Sequence, residues 1–344
     1  MADRRGEAPV VVVGGGISGT ACAQALRAAG IPVRVLDRGR RVGGRMALRR
    51  ERIGDVEHVV DIGASYFTVS DPAFAAVVDD WRSRGLAREW TDTFAVLHAD
   101  GTPAALAAGP LRWAAPRGLR SLVEDLAGSL EVVSACEVEQ VDADGAGPSV
   151  DGELAAAVVL AMPQPQAADL LPEPVTDRLG LEPGLEWEAT LTVWAGWPQR
   201  WWASPVQGID LQGAFVHGST VVDRVVDDGG RRGDEAPVLV VHSTPQYAAR
   251  WLDDPDGGIA GVLEELPRLL AGQSPGQPPP LFAGARRWSL ASPCVPQDRP
   301  FALDDDTLIG VCGDAWGRRP RIEQAWLSGD ALGRELAARL VEQR

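Results

Sequence analysis

The stretch PVVVVGGGISG, residues 9–19, decides the fold class of this chain. Its four consecutive valines end at glycines, a pattern that predicts a buried parallel strand. The residues that follow, Ile17–Ala29, favour a helix that ends at Gly30. A second apolar segment, Ile31–Leu36, predicts the next strand, which ends at Asp37. The sequence therefore predicts a strand–helix–strand unit of the kind that builds a parallel α/β sheet.

The glycines of this stretch fit the spacing G-x-G-x-x-G, which cradles the diphosphate of a dinucleotide. Gly14 permits a tight turn, Gly16 lets the backbone approach a pyrophosphate, and Gly19 lets the helix pack closely on the strand. The helix N-terminus offers unpaired N–H groups to the phosphates. Asp37 lies 18 residues beyond Gly19, where an acid accepts the ribose hydroxyls. The pattern predicts a site for NAD or for the ADP half of FAD.

Three later motifs favour FAD over NAD. They are GGR at residues 43–45, DIGA at residues 61–64, and Gly313-Asp314 ahead of a helix predicted to begin at Ile322. An NAD-binding domain requires no motif as distant in sequence as Gly313-Asp314. FAD can use one, because its ribityl chain and isoalloxazine extend well past the pyrophosphate. Asp314 is therefore predicted to bond a ribityl hydroxyl, and the helix at Ile322 to face the flavin edge where negative charge collects on reduction. A simple strand-to-helix turn at Gly313 remains the alternative.

Length and composition are those of a globular protein with two domains, or one large domain with an insertion. The 344 residues carry a formal net charge of −15, which argues against nucleic acid as a partner. The longest apolar run, Leu154–Met162, has nine residues, against the ~20 that cross a bilayer. We therefore expect no contact with a membrane. Because no signal-peptide pattern opens the chain, we expect a cytoplasmic location.

The inventory of side chains excludes several chemistries. All 33 basic residues are arginine, so no lysine is available for a Schiff base or a P-loop. The four cysteines lie far apart, which is typical of reduced, buried thiols in a cytosolic protein. The four histidines include no close pair, so we expect no metal site.

The segment from about residue 166 to 284 has a different pattern. Strands are predicted at Thr190–Ala195, Ala214–His217 and Val238–Thr244, and a loop is predicted around Asp227–Glu235. Five tryptophans fall within residues 187–202, which indicates an aromatic wall for a flat substrate, a hydrophobic core or a dimer surface.

Taken together, these motifs resemble bacterial renalase-type FAD oxidoreductases, which are related to the flavin amine oxidases. The matching strings recur from residue 10 to about residue 335, nearly the whole chain. They are GGGISG at 14–19, GGRM at 43–46, DIGASYFT at 61–68, APRG at 115–118, LAMP at 160–163, VVHS at 240–243, RW at 287–288, CGD at 312–314 and AWLSG at 325–329.

The resemblance implies an α/β fold with two discontinuous parts. A Rossmann-type FAD-binding domain, similar to that of p-hydroxybenzoate hydroxylase, is expected from residues 1–70, 110–165 and 285–344. An α+β substrate domain is expected from residues 71–109 and 166–284.

The resemblance also implies non-covalent FAD and the residues that hold it. The expected cofactor contacts are Gly14, Gly16, Ser18, Gly19, Asp37, Arg38, Gly44, Arg45, Ser65, Tyr66, Val138, Gly313, Asp314 and Ile322. Three positions depart from the pattern of the family: Ser65 replaces a glutamine, and Pro320 and Gln324 stand where small glycines are usual.

The implied activity is the oxidation of isomeric 2- or 6-dihydro-NAD(P) by hydride transfer to flavin N5, with O2 reduced to H2O2. This reaction needs no general base, because the donor ring becomes aromatic as the hydride leaves. The expected substrate-binding residues are Tyr66, Phe67, Thr68, Trp113 and His242. His242 is predicted to orient a carboxamide or phosphate, although a buried core role is open to it. Arg112 beside Trp113, and Arg287 beside Trp288, are placed to meet phosphates.

Two other functions are compatible with the sequence. One is amine oxidation, although many amine oxidases of this superfamily use a lysine-bound water and this chain has no lysine. The other is non-catalytic FAD binding or redox sensing. The expected partners are a small-molecule substrate and O2, with the protein a monomer or a homodimer.

Overall fold

The computed structural model describes residues 8–144, 147–181, 184–202, 208–270 and 278–342. The described residues pack as two compact units. The first unit draws on Met1–Arg45, Val123–Glu186 and Ser292–Arg344, and the second on Met46–Leu122 and Trp187–Ala291.

The strands, in chain order, are β1 (Val10–Val13), β2 (Val33–Asp37), β3 (Leu48–Ile53), β4 (Val56–Asp61), β5 (Phe67–Thr68), β6 (Arg88–His98), β7 (Ala105–Ala114), β8 (Glu131–Ser134), β9 (Val141–Asp144), β10 (Gly147–Val150), β11 (Glu153–Leu154), β12 (Val158–Leu160), β13 (Trp187–Gly196), β14 (Gly213–His217), β15 (Val222–Asp227), β16 (Val238–Ser243), β17 (Phe282–Pro293), β18 (Ala302–Asp304) and β19 (Ile309–Val311). The helices are α1 (Ile17–Ala28), α2 (Pro72–Ser83), α3 (Arg120–Ala127), α4 (Gln164–Asp169), α5 (Glu173–Leu179), α6 (Asp228–Arg232), α7 (Pro245–Arg250), α8 (Ile259–Leu270) and α9 (Ile322–Glu342). Within the described ranges, none of the helices has both the length and the apolar character needed to cross a membrane.

The first unit contains a six-stranded sheet in the order β18-β19-β12-β1-β2-β8. All neighbours are parallel except β18 and β19. The predicted strand–helix–strand unit is confirmed by β1, α1 and β2. The valines of β1 are buried because this strand lies inside the sheet, between β12 and β2.

Helix α9 lies directly against α1. A Cβ atom on Gly329 would stand 1.9 Å from the Ser18 carbonyl oxygen, and one on Gly333 would stand 2.5 Å from that of Cys22. The two glycines, one helical turn apart, therefore allow the backbones to approach closely. The last helix of the chain thus packs against the helix that begins at the predicted phosphate-binding turn.

The second unit is built on an eight-stranded sheet in the order β17-β13-β16-β15-β14-β6-β7-β5. On one face of this sheet, Val193 and Val241 join a core that includes Val262 and Leu266 of α8. Three of the five clustered tryptophans, Trp197, Trp201 and Trp202, lie in the same core and meet edge to face. For these three, the structure therefore supports the core alternative.

The opposite face of this sheet divides into an apolar part and a polar part. Trp194 and Val240 pack with Val60 and Ile62 in a small second core. Further along the same strands, Thr192 of β13 pairs with His242 of β16, which pairs with Arg224 of β15. We call this row of side chains the polar face.

The loop predicted around Asp227–Glu235 is wrong in its central part, which is the short helix α6. The Asp227 carboxylate accepts a hydrogen bond from the Gly230 N–H and begins the helix, and Gly233, at φ +84°, ends it. The segment looks polar in sequence, but its charged side chains pair with each other. The side chains of Asp227, Asp228, Arg231 and Arg232 are therefore buried, whereas Asp234 and Glu235, which follow the helix, are exposed.

Candidate active site

The turn after β1 is held by the carboxylate of Asp37. The Gly15 N–H donates to Asp37 Oδ2 and the Gly39 N–H donates to Asp37 Oδ1, each at 2.6 Å. Gly14, at φ +112°, is so close to β12 that a Cβ atom would lie 2.5 Å from the Ala161 carbonyl oxygen. The acid predicted to accept ribose hydroxyls is thus also the residue that orders the glycine turn.

The space beside Gly16 fits a diphosphate. A Cβ atom on Gly16 would meet nothing within 4 Å, whereas one on Gly19 would lie 1.9 Å from the Gly14 carbonyl oxygen. Gly16 is the N-cap of α1, and no side chain caps this helix end. The first N–H groups of α1 therefore remain available to an anion, and the positive end of the helix dipole favours one.

Arg45 and Asp314, both predicted cofactor contacts, form a two-pronged ion pair although they are 269 residues apart in sequence. Arg45 Nη1 donates to Asp314 Oδ2 at 3.0 Å, and Nη2 donates to the other carboxylate oxygen. A Cβ atom on Gly44 would lie 3.6 Å from the Gly16 Cα. The structure thus brings the glycine turn, the GGR motif and the terminal Gly-Asp motif into one place in the first unit.

The other predicted cofactor residues of the first unit occupy different positions around this turn. Ser18 is buried in the first turn of α1, Val138 is buried before β9, Arg38 is exposed after β2, and Ile322 begins α9. The Gln324 side chain lies over a turn at Gly317, where a Cβ atom would come within 2.3 Å of it. Their contacts with FAD remain predictions.

In the second unit, three side chains hold the carbonyl groups of the segment at residues 62–66. Trp288 Nε1 donates to the Ile62 oxygen at 3.0 Å, His242 Nε2 donates to the Gly63 oxygen at 2.9 Å, and Arg231 Nη1 donates to the Ser65 oxygen at 2.7 Å. The backbone that carries Ser65 and Tyr66 is therefore ordered from three separate strands or helices.

Arg231 is the centre of a buried charge network that sequence reasoning missed. It bonds Asp61 at 2.7 Å and also bonds Asp228, which in turn bonds Arg232; all four side chains are at most 1% exposed. The Asp61 carboxylate also accepts from the Leu119 N–H at 2.9 Å. Burial raises the pKa of Asp61, and the Arg231 cation opposes that rise. The sequence feature that could have predicted this network is the run of aspartates and arginines between two apolar strands.

His242 lies in the polar face and is neutral near pH 7. Its pKa is lowered from 6.5 to about 3, chiefly by burial and then by the nearby Arg224 cation. Since Nε2 donates to the Gly63 oxygen, Nδ1 carries a lone pair. That atom is buried and has no hydrogen-bond partner among the described residues.

The low pKa of His242 predicts a pH dependence of stability. The unfolded chain binds a proton at this histidine near pH 6.5, and the folded chain only near pH 3. Stability is therefore lost as pH falls through that window, by about 2 kcal/mol at pH 5 from this group. We expect His242→Gln to lose less stability than the parent between pH 7.5 and pH 5, measured by urea unfolding. An identical loss in both proteins would contradict the assignment.

An aromatic pocket surrounds the guanidinium group of Arg112. This group lies 3.9 Å from the centre of the Phe94 ring and 5.3 Å from that of Tyr66. The guanidinium of Arg224 lies 6.0 Å from the centre of the same Tyr66 ring. Tyr66 thus has a cation near it from each of two strands, β7 and β15, and its ring also meets Phe94 edge to face.

Phe67 and Trp113 are the chain neighbours of Tyr66 and Arg112, and Thr68 follows Phe67. These three side chains have surroundings that differ from those of the pocket. Phe67 is buried, stacks on Trp113, and meets Phe74 and Trp81 edge to face. Thr68 pairs with Arg112 across strands β5 and β7. The contacts of Phe67 and Trp113 are those of core residues, and their substrate roles remain predictions.

Comparison with known proteins identifies the class. A model of the NAD(P)-binding Rossmann-like domain matches residues 12–81, and a model of the flavin-containing amine oxidoreductases matches residues 105–330. The protein is a FAD-dependent oxidoreductase. Because the second match covers more than half of its length, the chain belongs to the flavin-containing amine oxidoreductase family.

Solved structures of amine oxidases have a similar fold. Putrescine oxidase bound to putrescine is 16% identical, with a TM-score of 0.68 over 97% of this chain and 99% of that one. Cyclohexylamine oxidase from Brevibacterium oxydans IH-35A is 14% identical, with a TM-score of 0.73 over 98% of this chain and 100% of that one. At identities this low, the comparison shows a shared fold only.

Proposed function

We propose that this enzyme oxidises an isomeric dihydronicotinamide, 2- or 6-dihydro-NAD(P), as renalase-type oxidoreductases do. The observation that carries this proposal is the sign of the charge around Tyr66. Arg112 and Arg224 both lie near its ring, and Arg224 approaches its neighbour Asp223 only to 3.9 Å. An amine substrate is a cation at neutral pH, so two guanidinium groups oppose its approach, whereas they attract a nucleotide.

We propose that the first unit binds the cofactor and the second unit binds the substrate. The first unit holds FAD without a covalent bond, through the open helix end at Gly16, the Asp37 carboxylate and the paired Arg45 and Asp314. Bound FAD would supply the two-electron acceptor for the hydride, with O2 as the final oxidant and H2O2 as its product. The second unit supplies the substrate surface on its polar face.

The residues of the polar face suit a reaction that removes no proton. A dihydropyridine becomes aromatic as it is oxidised, so the protein's task is to orient the ring and exclude water. His242 is neutral and its Nε2–H is committed to the Gly63 oxygen, which leaves Nδ1 to accept a hydrogen bond from a carboxamide N–H. The Tyr66 ring offers a flat surface against which the substrate ring can stack.

A screen of hydride donors tests the proposed function. The FAD-loaded protein is assayed in air for H2O2 with 2- and 6-dihydro-NAD(P), and with putrescine and cyclohexylamine. We expect kcat/KM for a dihydronicotinamide to exceed that for either amine by roughly 100-fold, or about 2.7 kcal/mol of transition-state binding. Higher turnover of an amine would establish the amine oxidase alternative. A flavin spectrum that no donor bleaches without O2 would favour a redox sensor.

A further inference from the structure

Arg112 is a buried cation with two unsatisfied hydrogen-bond donor atoms. The side chain is only 5% exposed, and its Nε and Nη1 atoms are buried without a hydrogen-bond partner among the described residues. Among the described residues, no carboxylate forms an ion pair with Arg112. A buried guanidinium normally has an acceptor, because leaving its N–H groups unbonded is costly.

The aromatic rings around Arg112 explain only part of its environment. The faces of Phe94 and Tyr66 attract the cation, but they leave Nε–H and Nη1–H without oxygen acceptors. A guanidinium in this setting is well placed to bind an oxyanion, since its fork of donors matches the oxygens of a phosphate or carboxylate.

The neighbouring polar face has further unsatisfied atoms. Arg224 Nε, His242 Nδ1 and Thr192 Oγ1 are each buried without a hydrogen-bond partner in the described part of the chain. They stand side by side, because Thr192 pairs with His242 and His242 pairs with Arg224 across the strands. Phe215, which pairs with Arg224, has its ring centre 6.0 Å from the Arg112 guanidinium. The unsatisfied polar atoms of the polar face and those of Arg112 are therefore neighbours, with Phe215 beside both arginines.

We propose that Arg112, together with Arg224, binds the phosphate group of a nicotinamide nucleotide substrate, and that His242 and Thr192 contact its uncharged polar groups. This inference rests on the proposed function in taking the anion to be part of the substrate. It adds which residues bind a phosphate of that substrate, and it predicts that a dihydronicotinamide nucleoside, which has no phosphate, is a poor substrate.

Binding of oxidised product analogues tests the phosphate site without any turnover. Nicotinamide mononucleotide and nicotinamide riboside differ only by the phosphate, and isothermal titration of each into the FAD-loaded protein measures its contribution. We expect the mononucleotide to bind at least about tenfold more tightly than the riboside. Arg112→Met should bring this ratio close to one, and Arg112→Lys, which keeps the charge but loses the fork, should fall between.

Arg82→Met is the matched control. Arg82 is an exposed arginine of the same unit, in α2, and it pairs with Glu89. Its replacement should leave the ratio unchanged. Arg224→Met provides a second test should Arg112→Met fail to fold, and it should lower the ratio by roughly threefold.

Three results with the two analogues would overturn the proposal: wild-type protein that binds both analogues equally, wild-type protein that binds neither, or Arg112 variants that keep the full preference. Inorganic phosphate is titrated alongside. If it binds as tightly as the mononucleotide and depends on Arg112, the site takes a free anion and the proposal is wrong. Failure to oxidise any dihydronicotinamide, with the Arg112-dependent preference intact, would overturn the proposed function alone.

Discussion

Gly16→Ala is expected to abolish high-affinity FAD binding while leaving the apoprotein folded. The backbone of Gly16, at φ −77° and ψ 179°, is one that alanine adopts freely, and the added methyl group meets nothing within 4 Å. Changing this N-cap from glycine to alanine costs about 1 kcal/mol or less in stability. The same methyl group would occupy the space that we assign to the diphosphate. We therefore expect FAD affinity to fall by roughly 100-fold, or about 2.7 kcal/mol.

The measurement is a fluorescence titration of FAD into the apoprotein, with urea unfolding of each apoprotein as the test of stability. Gly128→Ala is the matched control, because its methyl group would make only ordinary contact at 3.4 Å. Gly19→Ala is the opposite case: its methyl group would collide with the Gly14 carbonyl oxygen, so the fold itself should suffer. Wild-type FAD affinity in Gly16→Ala would show that the diphosphate lies elsewhere.

Arg231→Met should destabilise the protein by about 3–5 kcal/mol, the usual cost of leaving buried charges without their partner. The Asp61 and Asp228 carboxylates that Arg231 bonds are at most 1% exposed, so water cannot replace the lost cation. The Ser65 carbonyl oxygen would lose its donor as well. Urea unfolding at pH 7.5 gives the free energy of unfolding of each variant.

The control is Arg50→Met, which breaks the exposed ion pair between Arg50 and Glu57 and should cost 1 kcal/mol at most. The double variant Arg231→Met/Asp61→Asn should be more stable than Arg231→Met alone, because it neutralises Asp61, the carboxylate that loses its ion-pair partner, whereas Asp228 keeps Arg232. A loss of less than 1 kcal/mol in Arg231→Met would mean that the network contributes little to the fold.

Much of the cofactor half of this protein was predictable from short segments. The run of valines, the glycine spacing and Asp37 belong to one continuous stretch, and the hydrogen bonds of Asp37 to Gly15 and Gly39 stay within it. His242 was singled out because a histidine stands out in an apolar strand, and its substrate role is still a prediction. Helix α6 was missed because its charges pair within a few residues of each other, so a polar segment became a buried one.

By itself, the sequence determined the strand–helix–strand unit and its glycine turn, because local hydrophobic periodicity and glycine geometry act over a few residues. Tertiary structure alone decided which distant groups meet, as Arg45 and Asp314 do. Tertiary structure also gives different surroundings to two arginines that sequence alone does not distinguish. Arg231 is enclosed by carboxylates and stabilises the fold, whereas Arg112 is enclosed by aromatic rings and keeps free donors. The physical reason is that the partners of a buried charge are set by packing between strands.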